Sequence, residues 1–116
     1  MDELERDLLW LGVEDYTGLW QAVAEARAET SSLSEDRRRA RRTIDSLLSR
    51  GLIELFVCQE PLNNETVEIV PPESQSAVLD EVASWEAPEE GGKSVRFATT
   101  EQGFAAYRKE TGSTAE

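Results

Sequence analysis

The segment SSLSEDRRRARRTIDSLLSRG, residues 31–51, constrains this chain more than any other. Ser32 and Glu35 have the spacing of a capping box, in which hydroxyl and carboxylate each accept from the other residue's backbone N–H. Ser34 is a rival cap two residues later. Glu35 and Asp36 suit the positive end of a helix dipole. Ala40, Ile44, Leu47 and Leu48 then recur at helical spacing, and Gly51 is a natural terminator. A helix over residues 34–50 follows. It runs straight into LIELFVCQ, whose β-branched and aromatic residues predict a strand.

Upstream, Leu4, Leu8 and Leu11 mark a short helix, and Gly12 is expected at its C′ position. Asp15 or Thr17 is expected to cap a second helix, with Tyr16, Leu19, Trp20 and Val23 on its apolar face. Downstream, Asn63-Asn64 marks a turn and TVEIV (66–70) a second short strand, stopped by Pro71-Pro72. Ser74 is expected to cap an inserted helix with the stripe Val78, Leu79, Val82 and Trp85. VRFAT (95–99) alternates like a strand, and Thr100 caps a closing helix with Phe104 and Tyr107 facing inward. Residues 52–58 should pair antiparallel with residues 95–99. Leu48, Leu52, Ile53, Phe97 and Phe104 should be buried. With 116 residues, one domain over residues 1–110 is expected, and residues 111–116 form a polar tail that frays.

Two fragments carry a resemblance. Leu47-Leu48-Ser49-Arg50-Gly51-Leu52-Ile53 looks like the end of a third helix turning into a first wing strand. Phe97-Ala98-Thr99-Thr100-Glu101-Gln102-Gly103 looks like a returning wing strand and the capped helix after it. Together they resemble the winged-helix superfamily. LLWLGVEDYTGLW (8–20) is similar to small bacterial winged-helix proteins of unestablished biochemical role. The resemblance implies an α+β fold with three N-terminal helices, a small antiparallel hairpin and a C-terminal helix. The departure lies in the hairpin. About 35 residues separate its strands where a compact wing takes few, and they include a helix and are strongly acidic, against any contact of wing with phosphate.

Net charge is −12 and unevenly spread. Residues 51–92 hold ten acids and no base, whereas residues 30–50 hold six arginines against three acids. Such a field repels nucleic acid and acidic membranes at long range and favours basic partners. No apolar run approaches the roughly 20 residues that span a bilayer. The opening MDELERD lacks the basic start of a secretory signal, so a cytoplasmic location is expected. Outside a secretory route, the sequon Asn64-Glu65-Thr66 has no consequence. Cys58 is the single cysteine and histidine is absent, so Cys58 reads as a buried structural thiol.

At about 100° per residue, Arg38, Arg39 and Arg42 project to solvent, with Ser46 and Ser49 further along. They form either a solvated face stabilised by pairing with the surrounding acids or a candidate surface for a protein or nucleic-acid partner, to which Lys93 or Arg96 adds charge. Arg37 and Arg41 lie beside the apolar stripe, in reach of acids on the first two helices. Glu65, Glu68, Glu86, Glu89 and Glu90 form a candidate acidic interaction surface. Their spacing matches no EF-hand, so a solvated acidic loop is the reading and no metal is expected. Trp10, Trp20 and Trp85 lie on or beside helical apolar stripes, where core packing is the reading for most of them, while one can instead line a groove between the inserted helix and the first two helices. No triad, zinc-ligand set or glycine-rich phosphate loop is present, so no enzyme activity and no cofactor are expected. The leading reading is a non-enzymatic protein-binding or regulatory module, its partner basic. The alternative is a DNA-binding regulator using the third helix. A homodimer in which acidic N-terminal surface meets the arginine face suits either.

Overall fold

Two capping boxes start the helical half of the chain. The computed structural model describes residues 1–60 and 67–112. Asp2 caps α1 (Glu3–Glu14), accepting from Glu5 N–H at 2.8 Å while Glu5 accepts from Asp2 N–H at 3.0 Å. Ser32 caps α3 (Leu33–Ser49) reciprocally with Glu35 at 3.2 and 3.1 Å. Ser34 therefore lies inside the helix. Between them run β1 (Thr17–Gly18) and α2 (Leu19–Ala26). Gly51, at φ 71, closes α3 as expected. Its N–H bonds to Leu48 O and the Leu52 N–H to Leu47 O, the paired bonds of a Schellman turn. That turn delivers the chain directly into β2 (Ile53–Gln59).

Next come β3 (Val67–Ile69), α4 (Pro72–Asp80), a 3-10 turn (Val82–Trp85), β4 (Lys93–Thr99) and α5 (Glu101–Thr111). The described strands form one antiparallel sheet in the order β1-β4-β2-β3. The expected central pairing is present, from Ile53↔Thr99 through Leu55↔Phe97 to Gln59↔Lys93. One core cluster joins Leu8 of α1, Leu19 of α2, Ile44 and Leu47 of α3, Leu55 of β2 and Phe97 of β4. The architecture is thus α+β, with helices packed against a small antiparallel sheet.

Several local expectations are corrected by tertiary contacts. Gly12 does not end α1 but lies buried within it, where a Cβ would sit 2.9 Å from Thr99 N. It is the close approach of α1 to β4 that excludes a side chain there. Neither Asp15 nor Thr17 caps α2. Gly18 holds that position, and the Thr17 hydroxyl instead donates to Leu11 O at 3.0 Å, serving the end of α1. Tyr16 precedes α2 and packs edge-on against Phe56. β3 does end before Pro71-Pro72, but Pro72 also starts α4, its missing N–H costing nothing in the first turn, and Ser74 lies inside that helix instead of capping it. Val82 is exposed, because the helix breaks after Asp80 and the tighter 3-10 turn rotates it outward.

Leu52, Ile53 and Phe97 are buried as expected, but Leu48 is half-buried and Phe104 is 37% exposed. Thr100 does cap α5, accepting from Gly103 N–H at 2.9 Å. What turns Phe104 outward is Gly103, on which a Cβ would overlap Leu52 O, so that α5 seats on the sheet through its glycine. Thr111, assigned to the tail, completes α5, and Gly112 closes it in the left-handed region. The expected turn at Asn63-Asn64, the sequon with Glu65, Thr66 of the second strand and the tail residues 113–116 lie outside the described residues.

Candidate interaction surface

α3 divides its arginines between two environments. Its core edge is set by Ala40, Ile44 and Leu47, all buried. One step around the helix, Arg37 and Arg41 face the inserted segment. Arg41 Nη1 donates to Asp80 Oδ1 at 2.9 Å and Nε to Asp45 Oδ2 at 3.0 Å. Burial disfavours its charge, but the hydrogen bonds to Asp80 and Asp45 outweigh that and its pKa is raised. Arg37 pairs with Glu86 at 3.7 Å. These partners are acids of the insertion and of α3 itself, not of the first two helices as expected. The reason is that the 3-10 turn folds back on α2. Trp85 anchors it, 6% exposed, with Nε1 donating to Leu79 O at 2.9 Å.

Arg38, Arg39 and Arg42 are exposed on the remaining side. Among the described residues, none of these three forms an ion pair. Arg39 Nη1 donates to Ala26 O at 3.0 Å, neutralising the carbonyl end of α2. Arg39 and Arg42 form a ridge between two shallow concavities. One, about 450 Å³, reaches Arg38, Ser31 and Asp36. The other, about 300 Å³, reaches Asp2, Glu5 and Ser46. Carboxylates therefore wall the ridge on both sides. Asp36 is buried and accepts from the Ser31 hydroxyl. Glu5 accepts from Ser46 Oγ at 3.2 Å and pairs with Arg50. Ser46 is thus half-turned toward α1, although it still lines the second concavity.

The acidic candidates do not form one surface. Glu86 is exposed but pairs with Arg37, beside α3. Glu89 and Glu90 are exposed in the loop that follows and share a concavity of about 290 Å³ with Glu60. Glu68, exposed on β3, lines a separate concavity with Lys93. Glu65 lies outside the described residues. Among the described residues, no group of three His, Cys, Asp or Glu side chains converges to hold a metal ion. No helix among them is long and apolar enough to cross a membrane.

One polar constellation was missed in the sequence. Arg96, expected as an outer cation, is instead built into the fold. Its guanidinium lies 5.0 Å from the centre of the Trp20 ring and pairs with Glu60 at 3.1 Å. It also donates to Tyr16 O at 3.1 Å and to Ser94 Oγ at 3.1 Å. Ser94 Oγ in turn donates to Glu60 Oε2 at 2.6 Å. That bond, with Arg96 alongside, lowers the Glu60 pKa against the opposing effect of burial. The available signal was the alternation Ser94, Arg96 on β4. Cys58 pairs in register with Ser94 and is buried, and burial pushes its thiol pKa up, as a structural cysteine requires. The tryptophan groove expected between the inserted helix and the first two helices is replaced by a concavity of about 310 Å³ between α2, the start of α3 and the residues after Trp85, lined by Trp20, Trp85 and Leu33.

No family model matches the chain, and neither a curated protein nor a solved structure is significantly similar to it.

Proposed function

We propose that this chain is a non-enzymatic protein-binding regulatory module of winged-helix type, with the α3 ridge as its docking face. The β1-β4-β2 strand order, with a short strand between the first two helices, supports the winged-helix reading. The observation that carries the function is the course of the insertion. It does not stand out as a wing but folds onto α2 and α3 through Trp85, Asp80 and Glu86. The insertion's carboxylates are taken up by Arg37 and Arg41, and those of α1 and α3 flank the exposed arginines, which disfavours a polyanion and favours a protein surface of mixed charge. Basic groups of the partner meet the flanking acids, and an acidic group meets Arg38, Arg39 and Arg42. A cytoplasmic setting belongs to the same reading.

The second reading, a DNA-binding regulator, is favoured by those same three arginines, exposed on one helix and without an ion pair among the described residues. Two assays decide between them. A partner recovered from native lysate should bind the purified chain and lose affinity with Arg38→Glu/Arg42→Glu. Duplex DNA at about 150 mM salt should bind no tighter than roughly micromolar, the non-specific level. Nanomolar, sequence-selective DNA binding abolished by the double substitution would establish the second reading instead.

A further inference from the structure

The five arginines of α3 form one continuous arc, of which the insertion covers only an edge. At about 100° per residue, their order around the helix is Arg37, Arg41, Arg38, Arg42, Arg39, spread over roughly 200°. Glu86 and Asp80 meet the first two. The last three are exposed and form no ion pair among the described residues. The covered edge is itself open to water, for the side chains of Asp80 and Glu86 are 67% and 56% exposed. Arg37 is held the more loosely. Glu86 stands 3.7 Å from its Nη2, beyond hydrogen-bond reach, and its Nε has no hydrogen-bond partner among the described residues.

Ion pairs this exposed are weakly held. The backbone that carries the two acids is held firmly, because Trp85 is buried and its Nε1 donates to Leu79 O at 2.9 Å. Asp80 and Glu86 can therefore swing away from Arg41 and Arg37 while the insertion stays docked. Residues 51–92 contain no base, so the two acids have no cation in their own segment to turn to. Tethered beside α3, they meet Arg41 and Arg37 at a high effective concentration, against which any incoming anion must compete.

We infer that the insertion is an autoinhibitory strap, in which Asp80 and Glu86 occupy Arg41 and Arg37 as two anionic groups of a ligand would. The folded chain then offers anionic partners only three of the five arginine charges on α3. The inference rests on the α3 ridge being the docking face and adds what limits that face. Fluorescence anisotropy with a labelled duplex of about 20 base pairs, used as a probe of cationic charge, tests it between about 50 and 200 mM salt. Asp80→Asn/Glu86→Gln should bind at least about tenfold tighter than the unaltered chain at the low-salt end. Each freed arginine that neutralises a phosphate steepens log K against log salt by about 0.9, so the slope should gain about 1.8, and Asp80→Asn alone about half of that. Adding Arg37→Gln/Arg41→Gln should return both slope and affinity to their starting values. Both acids are exposed, so melting should be little altered. Glu89→Gln/Glu90→Gln removes the same charge where neither acid pairs with α3, and should leave the slope unchanged. A slope that Asp80→Asn/Glu86→Gln does not alter overturns the inference. So does an equal steepening by Glu89→Gln/Glu90→Gln, which would assign the effect to the field of the whole chain. Failure of the protein-partner reading would show instead in the lysate assay, with the steepened slope intact.

Discussion

Arg37 and Arg41 each precede, by one residue, an arginine with a different fate. A rotation of about 100° per residue carries the first pair against the insertion, where Glu86, Asp80 and Asp45 meet them. The same rotation leaves Arg38 and Arg42 in water without an ionic partner among the described residues. One flank of α3 is therefore structural and the other is available. The difference does not arise from the arginines. It arises from the insertion, held to that flank by Trp85 and rooted by the contact of Arg96 with Glu60 where it leaves the sheet.

The comparison is broken most severely at its anchor. Trp85→Ala removes a buried indole and should cost about 3–5 kcal/mol in denaturant unfolding. Hydrogen exchange should then show α4 and the 3-10 turn losing protection before the core strands, and Arg37 and Arg41 becoming as accessible as Arg38 and Arg42. Equal loss of protection across α3 and β4 would mean that the insertion is not a separable clasp.

Next in size is the root. Arg96→Ala leaves Glu60 partly buried without its cation and should cost about 2 kcal/mol. The pH dependence has a definite sign. Because the folded pKa of Glu60 is lowered, its contribution is present above the ordinary carboxylate range. It is lost as pH falls from that range through the folded pKa. Glu60→Gln should therefore flatten the acid limb of the stability–pH profile while leaving stability insensitive to that proton. An unchanged acid limb would show that other carboxylates carry it.

Smaller effects separate the two arginine pairs. Arg41→Ala removes partly exposed ion pairs and should cost about 0.5–1 kcal/mol, diminished by salt. Arg38→Glu/Arg42→Glu should change stability by less than about 0.5 kcal/mol, as exposed positions do. Thermal melts of both variants at low and high salt give the answer. A larger loss for the double substitution than for Arg41→Ala would reverse the assignment of the two flanks.

What was legible in the sequence was local. Ser32 with Glu35, Thr100, and Gly51 each act on N–H and C=O groups within a few residues, so their spacing alone implies the bond. The pattern Asp2-Glu3-Leu4-Glu5 carries the same information. Strand pairing followed from the resemblance of the two fragments holding β2 and β4 to the strands of a wing, not from local pattern. The exposed position of Arg38, Arg39 and Arg42 followed from helix periodicity once Ala40, Ile44 and Leu47 defined the inner edge.

What the fold alone decided were the partners. Gly12 looks like a helix end until Thr99 of β4 fills the space its side chain would need. Phe104 looks like core until Gly103 brings α5 onto Leu52. Thr17 looks like a cap until it pairs with Phe97 in the sheet, and Arg96 looks like a free cation until Trp20 and Glu60 enclose it. Each depends on a residue scores of positions away, and no short-range pattern encodes which surface a distant element brings. Helix and strand identity in this protein are therefore properties of the sequence, because they satisfy the backbone locally. Which arginines are spent on the fold and which are left for a partner is a property of the tertiary structure, because ion pairing depends on distance in space.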